Sequence, residues 1–336
     1  MNRSLSIYIH VPFCDKKCGY CDFYSFPPKK ESTMDEYVKA LLEEWAFYKK
    51  ELGEGKASSV FFGGGTPSML GTERLLAILN HIAPYVEEGG EITVECNPES
   101  VPCLDIPKLI GVGVNRFSMG IQSGSDRLLN IMGRIHTVEE GRKAFRHLRE
   151  GGAANINLDF ISSVPTETDE DIEKSISLIE ELNSEHVSVY SLILEEGTPF
   201  FKRYGRLPED DGEDRRHVHR YENMLAVLGY EQYEISNFSK PGFQCRHNLH
   251  YWKLGHYIGL GPGAGGYLQN TRYTNVADFK EYSAAIKRGE KPIGYSEELT
   301  SLDGDNELMM LNIRLNEGID LNKKLPSGML FKERYG

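Results

Sequence analysis

A chain of 336 residues, 40% hydrophobic and 26% charged, has room for one large core or two modest ones and is too apolar to stay disordered. Its 38 Lys and Arg against 50 Asp and Glu leave a net charge of -12, which disfavours nucleic acid as a partner, because binding a phosphate backbone needs many cations. No apolar run is long enough to cross a bilayer, residues 1–11 lack the apolar core of a signal peptide, and a cytoplasmic protein is expected.

In chain order, six short runs rich in β-branched, apolar or aromatic residues read as strands: 5–11, 59–62, 91–95, 116–121, 155–161 and 186–193. Amphipathic stretches lie between them. Residues 35–52 carry Tyr37, Leu41, Leu42, Trp45 and Tyr48 at roughly helical spacing, which predicts core packing for these aromatics. Thr137 with Glu140, and Thr168 with Asp171, read as capping pairs at helix starts. Strands alternating with helices give a parallel sheet with crossover helices. After residue 193 the rhythm breaks. An acidic helix over 209–228 ends at Gly229, a strand-like stretch covers 233–238, and a loop rich in glycine, aromatic and histidine residues follows. Helical stretches near 276–288 and 300–315 complete the chain. The expectation is an α/β fold with residues 1–235 as the main domain and 236–336 as a smaller one packed against it.

Six cysteines in a reducing compartment are not expected to form a disulfide framework, and three of them, Cys14, Cys18 and Cys21, crowd the loop after the first strand. Such a loop can wrap a metal. Structural zinc takes four protein ligands, often as two spaced pairs, and no second pair exists, since Cys96, Cys103 and Cys245 stand apart. A four-iron cluster on three thiolates keeps one iron open to an outside ligand, which turns an electron carrier into a reaction site. On ligand count the cluster comes first, zinc second and inert thiols last. Gly63, Gly64 and Gly65 permit close backbone approach to a ligand, or form a tight structural turn. Glu95 and Asp159 offer carboxylates suited to hydroxyls or an ammonium, and Gln122 and Arg134 suit the remaining polar groups. Each taken singly also reads as a solvated or salt-bridged side chain.

The three-cysteine spacing, inside Tyr8-Ile9-His10-Val11-Pro12-Phe13-Cys14 and before Asp22-Phe23, resembles the radical S-adenosylmethionine (SAM) superfamily. Phe61-Phe62-Gly63-Gly64-Gly65-Thr66-Pro67-Ser68, Glu95-Cys96-Asn97-Pro98, Ser118-Met119-Gly120-Ile121-Gln122-Ser123 and Asp159 extend the match over nearly the whole chain. In this order they resemble the family of oxygen-independent coproporphyrinogen III oxidases (HemN) and haem chaperones (HemW). The resemblance implies a partial parallel (β/α)6 TIM-like barrel of radical SAM type with a smaller C-terminal α+β domain. It also implies a [4Fe-4S] cluster on Cys14, Cys18 and Cys21, and a SAM pocket made by Tyr8, Gly64, Gly65, Thr66, Glu95, Gln122, Arg134 and Asp159. Tyr20, with Phe13 and Phe23, is expected to exclude water there. In the superfamily the cluster's free iron chelates SAM, and one electron cleaves the sulfonium to a 5′-deoxyadenosyl radical.

The oxidases resemble a pattern with a fourth cysteine where Phe23 stands, so this chain is more similar to the chaperones. Cys245-Arg246-His247-Asn248-Leu249-His250-Tyr251-Trp252 matches their His-Asn-x-x-Tyr-Trp stretch. His247 is the candidate haem contact and His250 a lesser one, with a structural histidine in a hydrogen-bonded loop as the other reading. The resemblance implies haem or porphyrin, haem-recipient proteins and an electron donor such as flavodoxin or ferredoxin as partners. Its alternative activity is oxidation of coproporphyrinogen III. The chain departs from the family in having Gly265 where a histidine usually stands and Ser163 where a glycine does. It ends at Gly336, earlier than usual for the family, so a helical region over the site is expected to be shortened. Residues 261–266 also fit a bare dinucleotide fingerprint, without the strand, helix and acidic residue that such a motif needs.

Overall fold

The structure, a computed structural model, describes residues 5–52, 55–205 and 212–335. Six strands pair in parallel in chain order: β1 (Leu5–Val11), β2 (Ala57–Gly64), β3 (Val86–Cys96), β4 (Arg116–Gln122), β5 (Ile156–Ser162) and β6 (His186–Ser191). The crossovers carry α1 (Glu31–Leu52), α2 (Gly71–Ile82), α3 (Ile106–Gly111), α4 (Asp126–Met132), α5 (Val138–Glu150) and α6 (Asp169–Leu182). Thr137 and Thr168 close capping boxes on Glu140 and Asp171, so α5 and α6 start where the sequence signals them.

Successive side chains of a strand point to opposite faces, and here the two faces differ in chemistry. Ile7, Ile9 and Val11 of β1, Ile92 and Val94 of β3, and Leu158 and Phe160 of β5 are buried in the main apolar core. The alternate positions are polar: Ser6 and His10, Glu91 and Glu95, Asn157 and Asp159. Burying the aliphatic face under the helices therefore turns a polar face inward, and the barrel interior becomes a place for ligands and charge.

The barrel stays open. After α7 (Pro199–Tyr204) and α8 (Gly212–Val227), the hairpin of β7 (Glu231–Gln232) and β8 (Asn237–Ser239) lies antiparallel on β6. Residues 209–211 of the expected acidic helix lie outside the described residues. Of the expected strand over 233–238, residues 237 and 238 open β8, and 233–236 form the turn between β7 and β8. The Glu234 carboxylate accepts from the Ser236 N–H at 3.0 Å and from the Asn237 side-chain amide, and this local bonding replaces a ladder. α9 (Arg246–Trp252) follows, where the sequence reading expects loop. β9 (His256–Leu260) then pairs in parallel with β1, on the other edge of the barrel. β10 (Gly265–Leu268), β11 (Thr271–Asn275) and β12 (Ile293–Glu298) add an antiparallel meander, giving one 12-stranded sheet among the described residues. α10 (Phe279–Lys287), α11 (Ser301–Asn312) and α12 (Phe331–Tyr335) complete the described chain. The glycine run from β9 into β10 has a packing cause, since a Cβ on Gly259 would stand 1.8 Å from the Gly265 carbonyl oxygen. No helix of the described residues is long and apolar enough to cross a membrane.

Glu44 of α1 ties the late segment to the barrel. Its buried carboxylate accepts from the Gly261 N–H at 2.7 Å, the Tyr282 hydroxyl at 2.6 Å and the Asn275 amide at 2.6 Å. Burial outweighs these donors and pushes the carboxyl up to about 7. A folded pKa above the unfolded value of about 4.3 means that the folded chain holds this proton more tightly. The group's contribution to stability is full below the unfolded pKa and is lost as pH rises through about 7. Glu44→Gln is expected to flatten the decline of unfolding free energy across that window. Urea melts at stepped pH read it, and an unchanged slope refutes it.

Candidate functional site

The loop after β1 is held by its backbone. The Phe26 N–H donates to Pro12 O at 2.9 Å and the Cys14 N–H to Phe26 O at 3.2 Å. Phe13, fully buried, stands edge-on to Phe26 and Tyr37 with ring centres 5.4 Å away in each case. Midway, the Gly19 N–H donates to Met132 O at 3.1 Å and the Phe200 N–H to Gly19 O at 2.9 Å. Cys14, Cys18 and Cys21 are thereby fixed without spending their thiols on the fold, which leaves the sulfurs for chemistry.

β2 brings its glycine end against this loop. The Gly65 N–H donates to Val11 O at 2.8 Å and the Thr66 N–H to Phe13 O at 2.7 Å. A Cβ at Gly65 would lie 2.6 Å from Phe13 O, so only glycine allows this closure. The Thr66 hydroxyl then sits 3.4 Å from the Cys14 sulfur.

Glu95, near the end of β3, and Asp159, in β5, face the same cavity from inside the barrel. Burial, with Asp159 nearby, pushes the Glu95 carboxyl up to about 8 against a hydrogen bond from the Gly64 N–H, so at neutral pH it keeps a proton to donate. Burial also raises Asp159, whose oxygens accept from the Asn157 amide at 2.8 Å and the Ser118 hydroxyl at 3.1 Å. Gln122 ends β4 at a φ of 70°, where the β4–β5 register shifts. That left-handed turn is costly for a residue with a side chain and is often kept at working sites. Arg134 reaches in from the loop after α4. It donates to Gly120 O at 2.9 Å and to Asn97 Oδ1 at 2.8 Å, and its Nη1 lies 3.6 Å from the Cys18 sulfur.

These groups line one cavity of about 480 Å3. It gathers every expected cluster and SAM residue except Tyr8, and Tyr20 shares its wall. Exposed Phe23, Ile135 and Ile193 are apolar groups in the same lining. The donor set fits an iron–sulfur cluster. Three thiols from one loop share the wall, and a hydroxyl and a guanidinium stand beside two of them as donors to sulfur. Among the described residues no three His, Cys, Asp or Glu converge tightly enough to grip a single ion. Burial pushes the Cys14 and Cys21 thiols up, so metal must displace their protons on binding. The buried Arg134 Nε has no partner among the described residues, a donor left over for a ligand.

Two of the expected site residues stand outside the lining of that cavity. Tyr8 walls a second cavity of about 330 Å3, together with Tyr251, Tyr257, Tyr267 and Arg272. Its hydroxyl is 3.1 Å from His10 Nδ1. His247 is 1% exposed and both its ring nitrogens are engaged, Nδ1 with the Ser59 hydroxyl and Nε2 with the Tyr251 hydroxyl, each at 2.8 Å. Burial, with His250 and Arg116 nearby, holds it well below the ordinary imidazole value and so neutral. It reaches the second cavity only through Tyr251. The sequence reading assigns no role to Asn97, which the structure puts between Thr66 and Arg134; its one signal is its place beside Glu95 at a strand end.

A family model described as the Radical SAM superfamily matches residues 8–179. The "Heme chaperone HemW" of Bacillus subtilis is 35% identical over 98% of this chain and 87% of its own length. That of Escherichia coli is 38% identical over 78% of this chain and 70% of its own. Among solved structures, coproporphyrinogen III oxidase (HemN) from Escherichia coli superposes with a TM-score of 0.81, covering 94% of this chain and 76% of that one. At 21% identity this likeness shows the fold alone, a partial barrel of radical SAM type with added C-terminal strands and helices. The chain belongs to the radical SAM superfamily and, within it, to the family of the haem chaperone HemW.

Proposed function

We propose that this chain is a haem chaperone that holds a [4Fe-4S] cluster, SAM and haem and passes the haem to recipient proteins. The observation that carries the reading is the single cavity shared by three cysteines and by Glu95, Gln122, Arg134 and Asp159. Cys14, Cys18 and Cys21 would hold the cluster, which supplies one electron to the SAM sulfonium once a donor such as flavodoxin or ferredoxin has reduced it. The chain's own groups bind and orient. Arg134 offers donors to a carboxylate, Glu95 and Asp159 meet hydroxyls or an ammonium, and the backbone of Gly64 and Gly65 meets the amino-acid portion. Tyr20 and Phe23 keep water away. Relatives named as haem chaperones support the haem part, as does Phe23 where the oxidases carry a further cysteine.

The haem contact is assigned to the tyrosine-walled cavity, which is sized for the edge of a planar macrocycle. Tyrosine faces stack on flat rings and a tyrosine oxygen can ligate haem iron, while His247 behind Tyr251 is hydrogen-bonded to that hydroxyl at 2.8 Å and holds it in place. Tyr251→Phe and His247→Ala are each expected to weaken haem binding about tenfold, and His250→Ala to leave it unchanged. Soret-region titration checks this, and wild-type affinity in both variants would move the contact elsewhere. For the function itself, one anaerobically reconstituted preparation is to be tested for haem retention, transfer to an apo-haemoprotein and coproporphyrinogen III turnover. Haem retention and transfer without porphyrin product are expected. Turnover without haem retention overturns the chaperone reading in favour of the oxidase.

A further inference from the structure

We infer that Asn97 is a positioning residue for the iron–sulfur cluster, clasping two groups, the Thr66 hydroxyl beside the Cys14 sulfur and the Arg134 guanidinium beside the Cys18 sulfur. The inference rests on the reading of the three cysteines as cluster ligands. Asn97 follows β3, and its amide is used at both ends. Oδ1 accepts from Arg134 Nη2 at 2.8 Å, and Nδ2 donates to Thr66 Oγ1 at 2.9 Å. Chemistry fixes this orientation, because a guanidinium can only donate and must face the amide oxygen.

The consequence reaches the sulfurs. With its oxygen already accepting from Asn97, Thr66 has one hydroxyl proton to place, and the Cys14 sulfur lies 3.4 Å away. Arg134 spends Nη2 on Asn97 and Gly120 O, which leaves Nη1 at 3.6 Å from the Cys18 sulfur. One neutral side chain thus aims a hydroxyl at one ligand and a cation at another. Cys21 stands outside this bracket, with a backbone hydrogen bond from Phe23. Donors and positive charge beside ligand sulfurs favour the more negative, reduced cluster and so raise its potential. Asn97 acts through Thr66 and Arg134 and touches neither sulfur.

The test is a redox titration of the reconstituted protein without SAM, followed by electron paramagnetic resonance. Asn97→Ala loosens both donors, and the potential is expected to fall. Asn97→Asp is expected to lower it further, because a carboxylate draws the Thr66 hydroxyl and the Arg134 charge to itself. The expected shift for Asn97→Asp is at least tenfold in the reduction equilibrium, about 59 mV for one electron. Thr66→Val is expected to move in the same direction and Thr66→Ser to restore the wild-type value. A merely structural role changes iron content or melting and leaves the potential of the assembled cluster alone. If Asn97→Asp fails to fold, the Thr66→Val and Thr66→Ser pair decides by the same reading. Full clusters with wild-type potentials in these variants overturn the inference while the cluster reading stands. A wild-type protein that assembles no cluster overturns both.

Discussion

Cys18→Ala protein reconstituted without oxygen is expected to hold about a tenth or less of the wild-type iron and sulfide. Its urea midpoint is expected to stay within experimental error of the wild type. The two halves of this expectation have separate causes. A three-thiolate cluster that loses one ligand keeps two, too few to hold it against exchange with solvent and added thiol. The loop keeps its shape because it hangs on backbone bonds, from Gly19 to Met132, from Phe200 to Gly19 and between Phe26 and its neighbours Pro12 and Cys14. The Cys18 sulfur adds only its approach to Arg134 at 3.6 Å. Cys96→Ala supplies the contrast. Its thiol is buried and donates to Ser118 O at 3.4 Å, so this variant is expected to keep its iron and lose about 1 kcal/mol of stability. Iron and sulfide analysis beside urea melts distinguishes the two. Wild-type iron in Cys18→Ala, or an equal loss in Cys96→Ala, would remove the cluster from this loop.

Much of this site is legible in the sequence, because the information is local. A cysteine triplet within eight residues, glycines at a strand end and capping pairs at helix starts are each written in neighbouring positions. The alternation of Ser6, Tyr8 and His10 with Ile7, Ile9 and Val11 even writes the inward face of β1. Height along the barrel is another matter. Parity puts Tyr8 inside, but the loops and α9 decide which cavity it walls. Pairing at long range is equally hidden: β9 lies beside β1 with His256 against Leu5, and nothing within 256–260 announces that neighbour. α9 has seven residues, too few for periodicity to show, and a group 155 residues earlier holds its start. The chemistry of His247 is legible, but its burial depends on that placement. Asn97 carries no charge to flag it, and its value lies in two partners that sequence order separates.

Glu91 joins these long-range features, and its removal is expected to be the most damaging single change in the barrel floor. Arg116 of β4 is 2% exposed, and its Nε has no partner among the described residues. Glu91 and Asp159 are among the groups close enough to offset its charge. The Glu91 carboxylate also accepts from the N–H groups of Arg246 and His247, each at 3.0 Å, so it caps the exposed first turn of α9. Glu91→Ala removes one of the groups that offset a buried cation and orphans two helix donors in one step. Two helix N–H groups left unpaired and a buried cation left less compensated are expected to cost about 3–5 kcal/mol in urea unfolding. Because α9 carries both His247 and Tyr251, haem binding should fall in the same variant even where it remains folded. The double variant Glu91→Gln with Arg116→Met separates charge from packing. It keeps an acceptor for the helix start and removes the stranded cation, so its stability is expected to return most of the way to wild type. If Glu91→Ala unfolds within about 1 kcal/mol of wild type, the floor of the barrel does not depend on this carboxylate, and α9 is held by its aromatic contacts alone.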